Sequence, residues 1–334
     1  MARVSVVIPV YNTAPYLGQC LDSVLHQSLK DIEVICIDDG STDASPQILH
    51  EYAARDPRVQ VISQENAGAG VARNTGLDHA AGEYVLFLDS DDWFALDFLQ
   101  RMVERGDRER ADITICRAEE CDTRTGERYP SAWMLKTDGL PGETFSPQRI
   151  AGSIFQFTYG WPWDKLYRRD FLKRTGVQFP GLKNSEDVVF VFQSLVLANK
   201  IAVLDQVMIC HRVNRGSSVS NTRSRQPEAP YQAYRLIRDE LESRGILEKY
   251  RESLQAWALD FLCWHVCSLH EEGVQKEYLS ILRKNWIPSL QLAEKPVELC
   301  ETKKVYAKYL VARYAPYPLL KLVLRAYRRM KNRG

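Results

Sequence analysis

The chain has 334 residues, of which 45% are apolar and 26% charged, a balance typical of a globular protein of about two domains. Its net charge of +1 combines a basic tail with an acidic body, because residues 302–334 carry ten Lys or Arg and no acid, while residues 1–301 carry 34 basic and 43 acidic groups. An acidic body argues against a nucleic-acid partner, and no apolar run reaches the ~18 residues that a membrane span needs.

The N-terminal segment and the cysteines indicate where the protein resides. The apolar stretch Val4–Val10 is short and contains Pro9, which predicts a first strand and not a signal peptide. The eight cysteines are scattered without a CxxC pair. We therefore expect reduced, structural thiols in a cytoplasmic protein, with neither a disulfide framework nor a zinc site.

The first 117 residues alternate between strand and helix patterns, which predicts an α/β fold with a mostly parallel sheet flanked by helices. A helix is expected over about residues 15–27, where apolar side chains recur every three or four positions. No GxGxxG turn of a dinucleotide-binding fold is present. The predicted strands are Val4–Pro9, Ile32–Asp38, Val59–Ser63, Tyr84–Leu88 and Asp112–Arg117.

Two of these strands end in carboxylates. Asp39 follows the second strand, and Asp89, Asp91 and Asp92 follow the fourth. Ligands of open α/β sheets bind beyond the carboxyl ends of the strands, and hard carboxylate oxygens suit Mg²⁺ or Mn²⁺. A solvated acidic turn, or a helix cap in the case of Asp39, is the alternative interpretation of these residues.

Several motifs follow one another in order along the chain. They are VSVVIPVYNTAPYLGQCLDSVLHQS, VICIDDGSTD, NAGAGVARNTGLDHAAGEYVLFLDSDD, WPWDKLYRRDFL, the Glu186-Asp187 pair and HRVNRGSSVS. These motifs resemble those of family 2 glycosyltransferases, which have the GT-A fold. The resemblance is close over residues 3–99, and the later motifs extend it to about residue 220.

This resemblance implies a role for each matching position. The residues expected to bind the nucleotide-sugar donor are Pro9, Asp39, Arg73, Asp89, Arg212 and Arg215. Those expected to hold Mn²⁺ or Mg²⁺ are Asp91, Asp89 and His211. Two alternatives stay open at this point, because Arg73 can be a surface arginine paired along its helix, and relatives often have tyrosine near His211.

The Glu186-Asp187 pair implies a general base. By resemblance Asp187 takes the proton from the attacking hydroxyl in a single displacement with inversion, although acids in the first turn of a helix are also favoured by its dipole alone. The residues expected on the acceptor side are Glu186, Trp161 and Trp163. The two tryptophans are expected there because sugars bind to aromatic faces. The alternative for the tryptophans is a place in the core, and the role of Asp164, where many relatives have Asn, stays open.

The sequence is thus expected to form three segments. Residues 1–117 form the nucleotide-sugar half of the GT-A domain, residues 118–225 form the acceptor half, and residues 226–334 form a helical extension. The last helix, Leu319–Arg333, has an apolar side that includes Leu320 and a basic side, which predicts contact with an anionic membrane surface. A helix docked on the body with a solvated basic face is the alternative.

The expected function is metal-dependent, inverting transfer of a sugar from a nucleoside-diphosphate donor to a glycan or lipid-linked acceptor. The resemblance implies cell-envelope polysaccharide assembly, and the basic tail predicts a peripheral position on the cytoplasmic face of the membrane. A nucleotidyltransferase would be expected to show a glycine-rich phosphate loop, which PVYNTAPYL lacks. A catalytically silent nucleotide-sugar-binding or membrane-scaffold protein is the other alternative, and the intact acidic motifs argue against it.

Overall fold

A computed structural model describes residues 2–214, 224–292, 300 and 303–331. The chain divides into two compact units, Met1–Gly216 and Ser217–Gly334. The predicted boundary at residue 117 lies inside a strand that runs from Ile113 to Asp122. The predicted donor and acceptor halves therefore share one sheet within the first unit.

Ten strands form the sheet of the first unit. They are β1 (Val4–Val10), β2 (Ile32–Asp38), β3 (Val59–Ser63), β4 (Tyr84–Phe87), β5 (Trp93–Phe94), β6 (Ile113–Asp122), β7 (Arg128–Pro130), β8 (Thr144–Phe145), β9 (Lys165–Arg168) and β10 (Ile201–Val213). Their order is β3-β2-β1-β4-β9-β6-β10-β5, with β7 paired to β6 and β8 paired to β10.

The two halves of this sheet differ in direction. Strands β1 to β4 are parallel, as the alternating pattern predicts, and β1 is buried along its whole length. In the second half, β9 runs antiparallel to β4 and β6, whereas β10 is parallel to β6. The predicted parallel arrangement is confirmed for the first half, and the complete sheet is mixed.

Helices cover the sheet of the first unit. They are α1 (Ala14–Leu25), α2 (Ser45–Arg55), α3 (Ala69–His79), α4 (Phe98–Glu109), α5 (Arg169–Thr175) and α6 (Glu186–Leu197). The predicted helix near residue 15 is α1, which buries the apolar side chains that gave the prediction. Helix α3 packs closely on β1, because a Cβ at Gly76 would lie 2.2 Å from Val7 Cγ1.

One cysteine pair corrects the expectation of reduced thiols. Cys121 on β6 and Cys210 on β10 are joined in a disulfide, with their Cα atoms 5.9 Å apart. The prediction was wrong for this pair because the two residues are 89 positions apart and meet only through strand pairing. The other cysteines of the described chain are free, and all of them except Cys300 are buried.

The second unit is helical, as predicted. Its helices are α7 (Ala229–Ser243), α8 (Leu247–Ser268), α9 (Glu272–Ile281), α10 (Ile287–Ser289), α11 (Lys303–Tyr314) and α12 (Tyr317–Lys331), and a π-helical turn, Leu282–Trp286, joins α9 to α10. No helix within the described ranges combines the length and apolar content that a membrane crossing requires.

The last helix, α12, differs from its predicted pattern. Leu320, which was expected on the membrane side, is fully buried in the second unit, whereas Leu322 is 61% exposed. The expectation was wrong at Leu320 because the helix docks through this residue and through a hydrogen bond from Tyr317 to Gln275. The predicted basic side chains beyond Arg325 lie outside the side chains that the structure describes.

Candidate active site

Three loops meet at the carboxyl edge of the parallel strands. Asn12, which follows β1, accepts hydrogen bonds at Oδ1 from the backbone N–H groups of Thr42 (2.8 Å) and Asp43 (3.2 Å). Thr13 donates from Oγ1 to Ser90 Oγ at 2.9 Å. The loop after β1 therefore fixes the loops that carry both acidic motifs.

Sequence reasoning missed these connecting residues. Asn12 adopts the left-handed conformation, with φ of 53°, which asparagine tolerates better than most residues. An Asn just after a buried strand was the available signal. Tyr11, 50% exposed at the same edge, was also missed.

Asp39 is buried and shapes the neighbouring loop. Its Oδ1 accepts from Gln64 Nε2 at 2.7 Å and from Ala67 N at 2.9 Å, and its Oδ2 accepts from Gly68 N at 2.9 Å. Pro9 is buried in β1, level with Ile37 of β2. Pro9 and Asp39, both predicted to bind the sugar donor, thus lie at the edge where the acidic loops meet. Asp39 already accepts three hydrogen bonds there.

The carboxylates that follow β4 have different surroundings. Asp91 and Asp92 are buried, whereas the Asp89 side chain is 32% exposed. Asp92 accepts from the backbone N–H of Arg212 at 2.7 Å, and its other oxygen lies 2.9 Å from His211 Nδ1. Asp92 therefore fastens the end of β10 to the acidic loop, a role that the sequence did not indicate.

Arg212 is held against the same loop. It donates from Nε to the Asp91 carbonyl at 2.8 Å and from Nη2 to Gln19 Oε1 at 2.7 Å. Its guanidinium carbon lies 4.5 Å from the ring centre of Trp93 and 4.8 Å from that of Tyr16. Such clamping places a fixed cation beside the carboxylates. Arg215, the other predicted donor-binding arginine of this segment, lies outside the described residues.

Arg73 connects the acidic loop to the Glu186-Asp187 pair. Its side chain is buried, and it donates from Nη2 to Asp89 at 2.7 Å and from Nη1 to Glu186 at 3.1 Å. Burial disfavours the charge, but the two carboxylates outweigh it and raise the pKa of Arg73 above its usual value. Arg73 is thus a buried ion-pair bridge, and the alternative of a surface arginine is wrong.

Asp187 lies in the first turn of α6 and is half-buried. Its Oδ1 accepts from Val188 N at 2.8 Å. Burial and the neighbouring Glu186 raise the pKa of Asp187 to about 7, against the opposing effect of Arg73. A carboxyl group with a pKa near neutrality exchanges protons with a substrate efficiently. A carboxylate with an ordinary pKa, stabilised only by the helix dipole, is a weaker base.

The predicted metal ligands suit a hard cation in their chemistry. Asp89 and Asp91 offer carboxylate oxygens at a strand end, and Mg²⁺ takes one or two such ligands. His211 forms a hydrogen bond with Asp92 through Nδ1, and this ring orientation leaves Nε2 to bind a metal. Burial lowers the pKa of His211, but Asp92 raises it more, to about 9, so a cation would have to displace a proton.

These three side chains do not already converge in a coordination shell. Within the described ranges, the one group of three ligand atoms that lie within 4.8 Å of one another is Glu119, Cys121 and Cys210. The two sulfurs of that group are joined in the disulfide. The predicted metal site therefore fits in ligand type, and its closure around a cation stays a prediction.

The two predicted acceptor tryptophans have different environments. Trp163 is 1% exposed, so it belongs to the core and offers no face to a ligand, which corrects its predicted role. Trp161 is half-buried and stacks on Trp163, with ring centres 5.1 Å apart. Asp164, whose role was open, forms a buried ion pair with Lys165 at 2.6 Å.

Comparison with known proteins decides the family. The family described as Glycosyl transferase family 2 matches residues 5–176. The chain belongs to glycosyltransferase family 2. The match spans both acidic loops, Arg73 and Trp161, and it ends before Asp187.

Relatives agree with this family assignment. EpsH of Bacillus subtilis (strain 168), a provisionally named glycosyltransferase, is 30% identical, and the alignment covers 99% of this chain and 98% of EpsH. The poly(ribitol-phosphate) beta-N-acetylglucosaminyltransferase TarS of Staphylococcus aureus (strain Mu50 / ATCC 700699) is 28% identical over 87% of this chain and 49% of TarS. This family 2 chain is therefore a glycosyltransferase.

Solved structures show the same fold. The structure of S. aureus TarS 1-349 in complex with UDP-GlcNAc has a TM-score of 0.61 at 24% identity, covering 98% of this chain and 92% of that one. The mannosyltransferase PcManGT from Pyrobaculum calidifontis, in complex with GDP-Man and Mn²⁺, has a TM-score of 0.52 at 18% identity, covering 93% and 84%. At these identities the likeness concerns the GT-A fold alone.

Proposed function

We propose that this glycosyltransferase moves a sugar, with inversion, from a nucleoside-diphosphate donor to a hydroxyl of a glycan or lipid-linked acceptor, with Asp187 as the general base. The observation that carries the proposal is the state of Asp187. Its pKa is raised to about 7 at the start of α6, beside a guanidinium that also binds the acidic loop. General bases work best when their pKa lies near the working pH.

In this mechanism Asp187 takes the proton of the acceptor hydroxyl as its oxygen attacks the anomeric carbon. Glu186 does not compete for this role, because its carboxylate is paired with Arg73 and its side chain is only 12% exposed. A single displacement by the acceptor oxygen needs no nucleophilic carboxylate, and its stereochemical outcome is inversion. Arg73 holds Asp89 and Glu186 at a fixed separation, and thereby holds the base relative to the donor.

The donor is proposed to lie along the carboxyl edge of β1, β2 and β4. Tyr11 is exposed there and can stack on a nucleobase, while Pro9 and Asp39 border the same edge. Arg212, fixed beside the acidic loop, would bind a phosphate oxygen by exchanging its contact with Gln19. The UDP and UDP-GlcNAc complexes of TarS support a uridine nucleotide.

Asp91 and Asp89 would hold Mn²⁺ or Mg²⁺, with Nε2 of His211 as a further ligand. The cation would act as a Lewis acid that offsets the negative charge developing on the departing nucleoside diphosphate. The Mn²⁺ bound in PcManGT supports this proposal for the fold. Asp92 keeps His211 oriented through Nδ1, and Arg212 adds a second positive charge next to the leaving group.

Association with an anionic membrane surface is proposed for the second unit. Helix α12 exposes Leu319 (51%), Leu322 (61%) and Val323 (41%), and Tyr314 at the end of α11 is 67% exposed. Arg325 of the same segment is exposed and adds attraction to acidic lipids, whereas Lys321 is already paired with Glu272 at 2.6 Å. This would place the enzyme peripherally on the cytoplasmic face, where a lipid-linked acceptor in cell-envelope polysaccharide assembly is found.

The first experiment is a screen of UDP and GDP sugars for release of the nucleoside diphosphate, with Mn²⁺, with Mg²⁺ and with chelator. The proposal predicts metal-dependent release from at least one donor by the wild-type chain and a large loss in Asp187→Asn. Tyr129→Ala, an exposed aromatic on β7, is the matched control and should keep wild-type rates. A wild-type protein that binds donors without ever releasing diphosphate would instead be a silent binding protein.

A further inference from the structure

A group of aromatic rings extends from the catalytic region to the surface of the first unit. Trp161 lies 5.2 Å from His211 between ring centres, and Tyr159 lies 4.3 Å from Trp161. Trp133 contacts both, with ring centres 5.2 Å from Tyr159 and 5.5 Å from Trp161. Trp133 is 45% exposed, so one end of this group faces solvent while the other end borders the acidic loop.

The backbone holds these rings in place. The segment around Trp133 pairs with the segment before Trp161, because Tyr159 N donates to Met134 O at 3.0 Å and Lys136 N donates to Phe157 O at 2.7 Å. The fully buried Lys165 donates from Nζ to the carbonyls of Tyr159 and Trp161, both at 2.9 Å. Its third contact is the buried carboxylate of Asp164. This ion pair fixes the loop that carries two of the rings.

The same loop lies against the start of α6. A Cβ at Gly160 would lie 2.5 Å from Val188 Cγ1 and 3.0 Å from Val188 Cα, so only glycine permits this approach. Val188 follows Asp187 directly. The aromatic group therefore begins next to the proposed general base, which is where an acceptor must place its reacting hydroxyl.

We infer that Trp133, Tyr159 and Trp161 form an acceptor subsite for an uncharged pyranose ring, with Trp133 as a residue that determines acceptor specificity. A pyranose has an apolar C–H face that packs on an aromatic ring, whereas an exposed indole without a ligand leaves a large apolar surface in water. This inference rests on the proposed function, because it assigns the acceptor class of the same site.

The neighbouring charges favour a neutral sugar over a polyol phosphate. A polyol-phosphate chain carries one negative charge per unit and has no ring, so its binding requires available cations. Lys165 is buried and bonded to Asp164. Arg117 is engaged by Asp205, the Leu135 carbonyl and Thr137. Lys165 and Arg117 are therefore committed within the fold, and neither offers a free charge to a phosphate.

The test compares wild-type protein, Trp133→Ala, Trp133→Phe and the control Tyr129→Ala. Transfer is measured with octyl β-glucoside, octyl β-N-acetylglucosaminide, cellobiose and ribitol 5-phosphate as acceptors, and binding of each in the presence of UDP is followed by saturation-transfer NMR. Hydrolysis of the donor without acceptor gives a readout that does not involve the subsite. Thermal unfolding of each variant confirms that it is folded.

We expect Trp133→Ala to raise KM for a pyranoside acceptor about tenfold, the factor that corresponds to 1.4 kcal/mol, with kcat and donor hydrolysis unchanged. Trp133→Phe should recover much of the lost acceptor affinity, and Tyr129→Ala should resemble wild type.

Ribitol 5-phosphate used in preference to every pyranoside, or an unchanged KM in Trp133→Ala, would overturn the inference. Wild-type protein that hydrolyses a donor but neither binds nor uses any pyranoside would also overturn it, while the proposed function would stand. Failure to release diphosphate from any donor would contradict the proposed function itself.

Discussion

The two sides of the proposed active site use different chemistry to fix their side chains. On the donor side, carboxylates bind backbone N–H groups and guanidinium groups, as Asp39 does at the loop before α3 and Asp89 does with Arg73. On the acceptor side, rings pack on rings over a buried Lys165-Asp164 pair. The proposed donor is charged and needs directional polar partners, whereas the proposed neutral acceptor needs flat apolar faces. Arg73 is the residue that joins the two sides.

On the donor side, the largest effect is expected from the loss of a carboxylate that would hold the metal. Asp91→Asn keeps the side-chain volume but removes a charged oxygen, so we expect activity to fall by about 10²- to 10³-fold, the usual loss for one group that stabilises transition-state charge. Affinity for UDP should lose its dependence on Mn²⁺, as measured by calorimetry with and without the ion. Undiminished activity in the presence of chelator would remove the metal from this account.

Arg73→Met should break the connection between the two sides. Asp89 and Glu186 would each lose a buried partner, and we expect a loss of about 3 kcal/mol in the free energy of unfolding, measured by urea denaturation. Arg73 also lowers the pKa of Asp187, so the acid limb of the pH profile should move to higher pH. Arg105→Met, which removes another buried guanidinium on α4, should destabilise the fold without moving that limb.

The pH dependence of kcat tests the acceptor side separately from donor binding. Because burial and Glu186 raise the pKa of Asp187 to about 7, the base is mostly protonated below that pH. We expect kcat to fall about tenfold for each pH unit below 7, while the affinity for UDP stays nearly level. A kcat that is flat between pH 5 and about 7 would mean that another group accepts the proton.

The smallest effect is expected in the second unit. The double substitution Leu319→Ser and Leu322→Ser removes exposed apolar side chains but keeps Leu320, whose burial makes truncation of α12 a poor test. Binding to phosphatidylglycerol vesicles, measured by sedimentation, should fall several-fold, and added salt should weaken the remainder. Leu236→Ser on α7 is the control for an exposed leucine. If wild type, the double variant and Leu236→Ser bound the vesicles equally, α12 would be only a docked structural helix.

The donor side was largely predictable because its determinants are local in the sequence. Each strand from β1 to β4 is an apolar run that ends at a loop motif, and parallel strands place those ends at one edge. The sequence could not show that Asp92 binds His211, since that contact joins residues 119 positions apart. The disulfide between Cys121 and Cys210 escaped prediction for the same reason.

The acceptor side depends more strongly on contacts between distant segments. Trp161 and Trp163 are two positions apart in one motif, yet Trp163 is buried and Trp161 is only half-buried. Trp163 belongs to the core cluster and Trp161 packs against it, just before β9 inserts antiparallel between β4 and β6. Trp133 carries no motif, and it enters the proposed acceptor subsite only because its segment pairs with the one before Trp161. Such residues are found from the packing and not from the pattern.

The central claim is that Asp187 performs chemistry and does not bind the donor. The most direct test measures kcat and the dissociation constant of UDP for wild type and Asp187→Asn, with unfolding measured across pH. We expect kcat to fall by about 10²- to 10⁴-fold with UDP affinity nearly unchanged. Because the folded-state pKa of Asp187 lies above its unfolded value, wild type should lose stability as pH rises from about 4 through about 7, and the variant should lack that loss. A collapse of UDP affinity in Asp187→Asn would contradict this account, and so would a kcat of this variant equal to that of wild type.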